Sequence, residues 1–231
     1  MKFYAFIFAR GGSKGLKKKN ILNLDGKPLI NHAIDIAKEI QNIEKIFIST
    51  DDEEIANIAI NNGAILIDRP KELAKDNSSE WLAWQHAIKY VFNRFGAFEG
   101  FVSLPATAPL RSKEDVSKCI AKLKDNADLI VTVTKSKRHP AFNMVRISSE
   151  DKISLIENKG KILRRQDAPI IYDMTTVAYV STAQHILKTK SLWEGVVKAV
   201  EIPFERSIDI DNKIDYEFAN FLLNYQKNIN K

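Results

Sequence analysis

Apolar residues fall in two rhythms along this chain. Residues 2–8, apolar and aromatic-rich after Lys2, form a run of strand character. Leu29, Ile30, Ala33, Ile34, Ala37 and Ile40 then recur at helical spacing, and residues 45–49 return to strand character. Ile55, Ala56, Ile58 and Ala59 mark a second helix, for which Asp51 or Asp52 can serve as cap. Gly63 ends it, and residues 64–67 read as a third strand. This β-α-β-α-β order predicts a parallel sheet with helices on its faces.

The alternation continues. Ser78 or Ser79 caps a helix running to about Phe95, with Trp81, Trp84 and Phe92 turned inward. Residues 98–104 form a strand that leads into a rigid loop, Pro105-Ala106-Thr107-Ala108-Pro109-Leu110-Arg111. Ser112 caps a further helix, and residues 128–134 are another strand. From 135 to about 176 helical periodicity disappears. Two β-prone runs, 143–147 and 152–157, flank a turn there. This segment predicts an irregular β insertion, either a lid or a dimer arm. Strands at 176–180 and 196–202, a short helix at 183–188 and a closing amphipathic helix at 214–225 complete one α/β domain over residues 1–231.

Composition narrows the class. The 231 residues are 45% hydrophobic and 28% charged, as in soluble globular proteins. No apolar run reaches the length of a transmembrane helix, and the first residues lack the pattern of a secretory signal, so a cytoplasmic protein without membrane contact is expected. One cysteine, Cys119, gives neither a disulfide framework nor a thiolate zinc site. The net charge of +6 is mild, and the aromatics fall at core positions rather than between the lysines. A nucleic-acid-binding role is therefore not expected.

The candidate chemistry begins where the first strand ends. Ala9-Arg10-Gly11-Gly12-Ser13-Lys14-Gly15 runs on to Lys17, Lys18, Lys19 and Asn20, and no acidic residue precedes Asp25. Glycine lets backbone N–H groups approach a ligand, and the cations favour a polyanion. The loop matches neither Gly-x-x-x-x-Gly-Lys-Ser/Thr nor Gly-x-Gly-x-x-Gly. Two readings stand: a cradle for a nucleotide phosphate chain, or a solvated basic turn. Arg69 follows the third strand, at the end where parallel sheets bind ligands, and is either a site residue or a solvated one. Asp209 and Asp211 stand two apart, which in an extended segment puts both carboxylates on one side. They could share one Mg²⁺, although Asp211 also stands where a helix cap belongs.

Several pieces together resemble the CMP-sugar synthetases that activate sialic-acid-like sugars, the acylneuraminate cytidylyltransferase family. They are the loop from Ala9 to Gly15 with Lys19-Asn20-Ile21, Ser49-Thr50-Asp51, Arg69-Pro70-Lys71-Glu72-Leu73-Ala74, Pro109-Leu110-Arg111, Arg165-Gln166, and Ser207-Ile208-Asp209-Ile210-Asp211. The resemblance implies a three-layer, Rossmann-like nucleotidyltransferase fold with a mainly parallel sheet. It also implies a homodimer in which the 135–176 segment crosses the interface. The reaction implied joins CTP to a 2-keto-3-deoxy nonulosonic acid, releasing pyrophosphate with Mg²⁺ as cofactor.

By position, Arg10, Gly11, Gly12, Ser13, Lys14, Lys19, Asn20 and Arg69 would bind CTP. Thr107, Arg111, Arg165, Gln166 and Tyr179 would face the sugar. Asp209 and Asp211 would hold the metal, and Arg10, Lys19 and Asp211 would carry the catalysis. Pro105 stands where the bacterial sialic-acid enzymes have glutamine, whereas Asp167-Ala168-Pro169 and Tyr172-Asp173-Met174 are closer to the legionaminic-acid branch. An eight-carbon keto-deoxy sugar acid, or a sugar 1-phosphate, is the alternative acceptor.

Overall fold

The computed structural model describes residues 1–13, 15–157 and 164–229, and side chains through Lys227 apart from that of Arg165. The chain opens with strand β1 (Phe3–Phe8) and passes through a hairpin, β2 (Asn23–Leu24) and β3 (Lys27–Pro28), into helix α1 (Leu29–Lys38). There follow β4 (Ile43–Thr50), α2 (Glu53–Asn61), β5 (Ile65–Asp68), α3 (Glu80–Phe95), β6 (Gly100–Ser103), α4 (Lys113–Leu123) and β7 (Leu129–Lys135). A small hairpin, β8 (Val145–Ile147) and β9 (Ile153–Leu155), precedes β10 (Tyr172–Thr182). Helix α5 (Ala183–Lys188), β11 (Val197–Glu201) and α6 (Lys213–Ile229) close the chain.

Seven strands form one sheet in the order β11-β7-β10-β6-β1-β4-β5. Its strands pair in parallel except β10, which runs antiparallel to both β6 and β7. The alternation in β1 explains its unbroken apolar run. Phe3, Ala5 and Ile7 enter one core with α1, α2 and α4, while Tyr4 and Phe6 enter a second core with α3 and α5. These are the three layers of a Rossmann-like α/β fold. A third cluster seats α6 through Ala219 against Leu24, Leu29, Leu110 and Ile210.

β4 lies on one side of β1 and β6 on the other. The chain therefore reverses direction across the sheet at β1, and a crevice opens outside the carboxyl end of that strand. The basic loop begins there.

Several boundaries differ from the sequence reading. β10 starts at Tyr172, not near 176, because residues 172–175 pair with β7 before the register shifts. Ser79 holds the cap position of α3 without a side-chain hydrogen bond, while the Ser78 hydroxyl donates to the Glu72 carbonyl. Of the two candidate caps for α2, Asp52 is the one used, accepting from Ile55 N at 3.0 Å. The 143–147 and 152–157 runs shorten to the β8–β9 hairpin, which joins no other strand among the described residues. Cys119 is buried in the core, and burial pushes its thiol up to about 12.

Candidate active site

The loop after β1 is held from three directions. Asn20, itself buried, donates from Nδ2 to the Arg10 carbonyl at 3.1 Å. The Gly11 N–H donates to Asp51 Oδ1 at 3.1 Å, and a side chain at Gly11 would meet Asp52 Oδ2 at 2.6 Å. A Cβ at Gly15 would sit on the carbonyl oxygen of Asp211. These close approaches account for both glycines. They also tie the loop to the 51–52 corner and to the acidic segment near the other end of the chain.

Between these parts lies a cavity of about 600 Å³, within the usual size for a small-molecule site. Arg10, Ser13, Lys19, Asn20, Arg69, Thr107, Tyr179 and Asp211 all line it. The Arg69 guanidinium is buried, stacks 5.5 Å from the Phe8 ring centre and donates to Ser49 Oγ and to the Ser49 carbonyl. Burial pulls its pKa down to about 10, with Asp51 and Glu80 opposing, so it stays charged at neutral pH. Arg10 Nη1 pairs with Asp76 at 2.6 Å, and Lys19 Nζ with Asp211 Oδ1 at 2.8 Å. Tyr179 packs with its ring centre 5.3 Å from that of Trp84, and burial pushes its hydroxyl up to about 12.

The acidic segment is set by its surroundings. Ile210 is fully buried, and its N–H donates to the Thr107 carbonyl at 2.8 Å. That bond joins the 105–111 loop to the stretch between the two aspartates. Asp209 Oδ1 is buried without a hydrogen-bond partner among the described residues. Asp211 does not cap α6. Asn212 does, accepting from Ile214 N and Asp215 N, while Asp215 reaches back to the N–H groups of Asp211 and Asn212. The Asp211 carboxylate is thereby left to the cavity.

Not every expected residue arrives there. Arg111 does not line the cavity. It is buried and donates to the Val177 carbonyl at 2.7 Å and to the Pro105 carbonyl, so it braces the 105–111 loop onto β10. Burial pulls it down to about 9, opposed by Asp209 and Asp115. Gly11 and Gly12 shape the loop but do not line the cavity, and the Gly11 N–H is already engaged by Asp51. Gln166 is exposed and also outside the cavity lining. Lys14 and the Arg165 side chain lie outside the described residues.

Sequence reasoning passed over Asp76 and Glu80, which line the same cavity. The only signal for them was nearness to Arg69-Pro70 and to the start of α3. Desolvation pushes the Glu80 carboxyl up, Arg69 opposes and Asp209 adds to the push. The arrangement brings the cations Arg10, Lys19 and Arg69 and the carboxylates Asp76, Glu80 and Asp211 to one cavity, with Asp209 two residues from Asp211. That suits binding a polyanion together with a divalent cation.

Residues 4–229 match the family model described as Cytidylyltransferase. The chain is 32% identical over 220 residues to a CMP-N,N'-diacetyllegionaminic acid synthase of Campylobacter jejuni, covering 94% of this chain and 93% of that protein. It is 30% identical over 220 residues to an N-acylneuraminate cytidylyltransferase of Escherichia coli, covering 94% of this chain but 51% of that protein, so it spans about half of that relative's length. Among solved structures, a CMP:2-keto-3-deoxy-manno-octonic acid synthetase complexed with CTP superimposes with a TM-score of 0.72 at 15% identity, over 98% of this chain and 100% of that one.

Proposed function

The chain belongs to the cytidylyltransferase family, and on that premise we propose that it joins CTP to a nonulosonic acid of the sialic or legionaminic type, giving a CMP-sugar and pyrophosphate. The carrying observation is the convergence of Arg10, Lys19, Arg69 and Asp211 on one cavity. The named relatives support the acceptor class, since they act on N-acylneuraminate or diacetyllegionaminic acid.

In this reaction the anomeric hydroxyl of the sugar attacks the α-phosphorus. A new P–O bond forms, the bond to pyrophosphate breaks, and the hydroxyl proton is released. Such a transfer needs charge neutralisation and positioning more than covalent help. Arg10, Ser13 and Lys19 would hold the triphosphate, with Asn20 fixing the loop through the Arg10 carbonyl. Arg69, anchored on Ser49 and Phe8, would place a fixed positive charge beside the nucleotide. Tyr179 and Thr107 would bound the sugar side.

The buried, unpartnered Asp209 oxygen and the cavity-lining Asp211 fit a Mg²⁺ ion. Among the described residues, no cluster of three or more acidic, histidine or cysteine side chains is placed to hold one. A pair of carboxylates is the protein share that Mg²⁺ takes beside substrate phosphates. When bound, the ion would neutralise phosphate charge and acidify the attacking hydroxyl.

A homodimer is part of the same reading. Val145, Ile147 and Ile153 of the β8–β9 hairpin, with Ile170, Tyr172 and Met174, expose apolar surface, and Ile147 and Ile153 face solvent over 69% of their area. A second copy is the partner that would cover them and bring Gln166 and Arg165 toward the neighbouring cavity. No described helix is long and apolar enough to cross a membrane, and the enzyme is proposed to act in the cytoplasm, where CTP is available.

Transfer of label from CTP carrying ³²P at the α-position tests the reaction. The label should appear in a product that also contains the acidic sugar, with unlabelled pyrophosphate. Label released as free CMP without sugar would contradict the assignment.

A further inference from the structure

Arg10 is the hub between two segments that both line the cavity. Its backbone carbonyl is fixed by Asn20, and its side chain reaches out to the stretch that follows Arg69-Pro70. There Nη1 forms an ion pair with Asp76 Oδ1 at 2.6 Å and donates to the Ala74 carbonyl at 3.4 Å. The stretch is folded on itself, with Leu73 N donating to the Pro70 carbonyl at 2.8 Å and Ser78 N to the Lys75 carbonyl at 3.1 Å. Asp76 is therefore presented from a turned segment and not from a loose tail. The Arg10 side chain is 34% exposed, so the pair sits at the cavity rim where solvent is partly excluded.

Among the described residues, only Nη1 is engaged. A guanidinium offers five donors in a rigid plane, and anchoring one nitrogen fixes the direction of the others. Among the described residues, Nε and Nη2 of Arg10 have no hydrogen-bond partner. An unanchored arginine at a rim would sample many rotamers and would lose that freedom on binding phosphate. An ion pair with a carboxylate removes much of that freedom beforehand.

We propose that Asp76 is a positioning residue for the transfer reaction: it holds Arg10 by one nitrogen so that the remaining donors of its guanidinium meet the triphosphate. The proposal rests on the cytidylyl-transfer reading, in which Arg10 contacts CTP. Asp76 touches neither phosphate nor sugar in this role and acts through Arg10.

The test is a double-mutant cycle on the full-length protein with Asp76→Ala, Arg10→Ala and the double variant, plus Asp76→Asn. Two quantities are read: kcat/KM for CTP, and the affinity for CTP with Mg²⁺ in the absence of sugar, by calorimetric titration. Thermal midpoints of the single variants serve as the fold check, and Asp76, with 45% of its side chain exposed, should leave them unchanged. Asp76→Ala should lower kcat/KM by about tenfold or more, and Asp76→Asn, which keeps an acceptor for Nη1, should recover most of it. On the Arg10→Ala background, removing Asp76 should change neither quantity by more than about twofold. Losses that multiply independently would overturn the proposal, as would an Asp76→Ala variant that binds CTP more tightly, which would make Asp76 a competitor of phosphate. A silent Asp76→Ala beside a crippled Arg10→Ala overturns the positioning role alone. A silent Arg10→Ala overturns the phosphate assignment beneath it.

Discussion

Lys19 Nζ lies 2.8 Å from Asp211 Oδ1, although the two residues stand 192 positions apart. The contact joins the basic loop at one end of the domain to the acidic segment at the other. Lys19 is only 17% exposed whereas Asp211 is 72% exposed, so the ammonium is the enclosed partner. Gly15 presses on the Asp211 carbonyl beside it. The two halves of the charge arrangement thus share a boundary.

If Lys19 neutralises developing charge on the phosphates, replacing it by methionine keeps the stem and removes the charge. Lys19→Met should lower kcat by about 10²–10³, as removal of one preorganised donor does. Steady-state kinetics at saturating CTP measures this. A kcat within twofold of the parent would place Lys19 outside the reaction.

The Gly15 contact makes a steric prediction. Gly15→Ala puts a methyl group against backbone, which cannot rotate away, so the loop or the acidic segment must move. Such overpacking costs about 1–3 kcal/mol. Chemical denaturation should show that loss, and kcat/KM should fall with it. Gly12→Ala is the control, since nothing lies within 4 Å of its would-be Cβ.

The acidic segment also has a support farther back. Asp115 is buried and accepts from Arg206 Nε and Nη2 at 2.8 and 2.9 Å, and from Ser112 N at 3.0 Å. Arg206 ends the short turn just before residues 207–211. Burial alone would push the Asp115 carboxyl up, but the bonds from Arg206 and Ser112 outweigh it and hold it below the usual range. A carboxyl depressed in the folded state adds stability above its unfolded pKa, near 3.9, and loses it as pH falls through the folded value. Asp115→Asn should therefore flatten the acid limb of a stability–pH curve below about pH 4. Asp115→Ala, which leaves Arg206 without its partner, should cost about 3–5 kcal/mol at neutral pH.

The arm makes a prediction about assembly. Ile147→Asp with Ile153→Asp places charges on the paired, exposed face of the β8–β9 hairpin. Sedimentation velocity should show the parent as a dimer and this variant as a monomer. A parent that sediments as a monomer would remove the homodimer from the account.

Much of this architecture was legible in the chain. The run that follows Lys2 read as a strand because both faces of β1 are buried and no charged position interrupts Phe3–Phe8. The βα alternation through β7 followed from helical and strand spacing, and the Ser112 cap closes into a full capping box with Asp115. What spacing could not show was where long side chains end. Arg111 stands at the end of a loop like a ligand-binding arginine, yet its Nε and Nη2 bond the Val177 and Pro105 carbonyls. Asp211 and Asn212 were equally good caps by type, and backbone geometry chose Asn212. Asp76 carries no motif of its own. Only the path of the chain after Arg69 brings it to Arg10.

The central claim is cytidylyl transfer from CTP to an acidic nine-carbon keto sugar. A matrix of CTP, UTP, GTP and ATP against sialic, legionaminic and eight-carbon keto-deoxy acids and a sugar 1-phosphate, with Mg²⁺, measures it through pyrophosphate release. Release should occur with CTP and a nonulosonic acid, far above every other pairing. Equal or faster release with UTP or GTP, or with a sugar 1-phosphate in place of the keto acids, would contradict it.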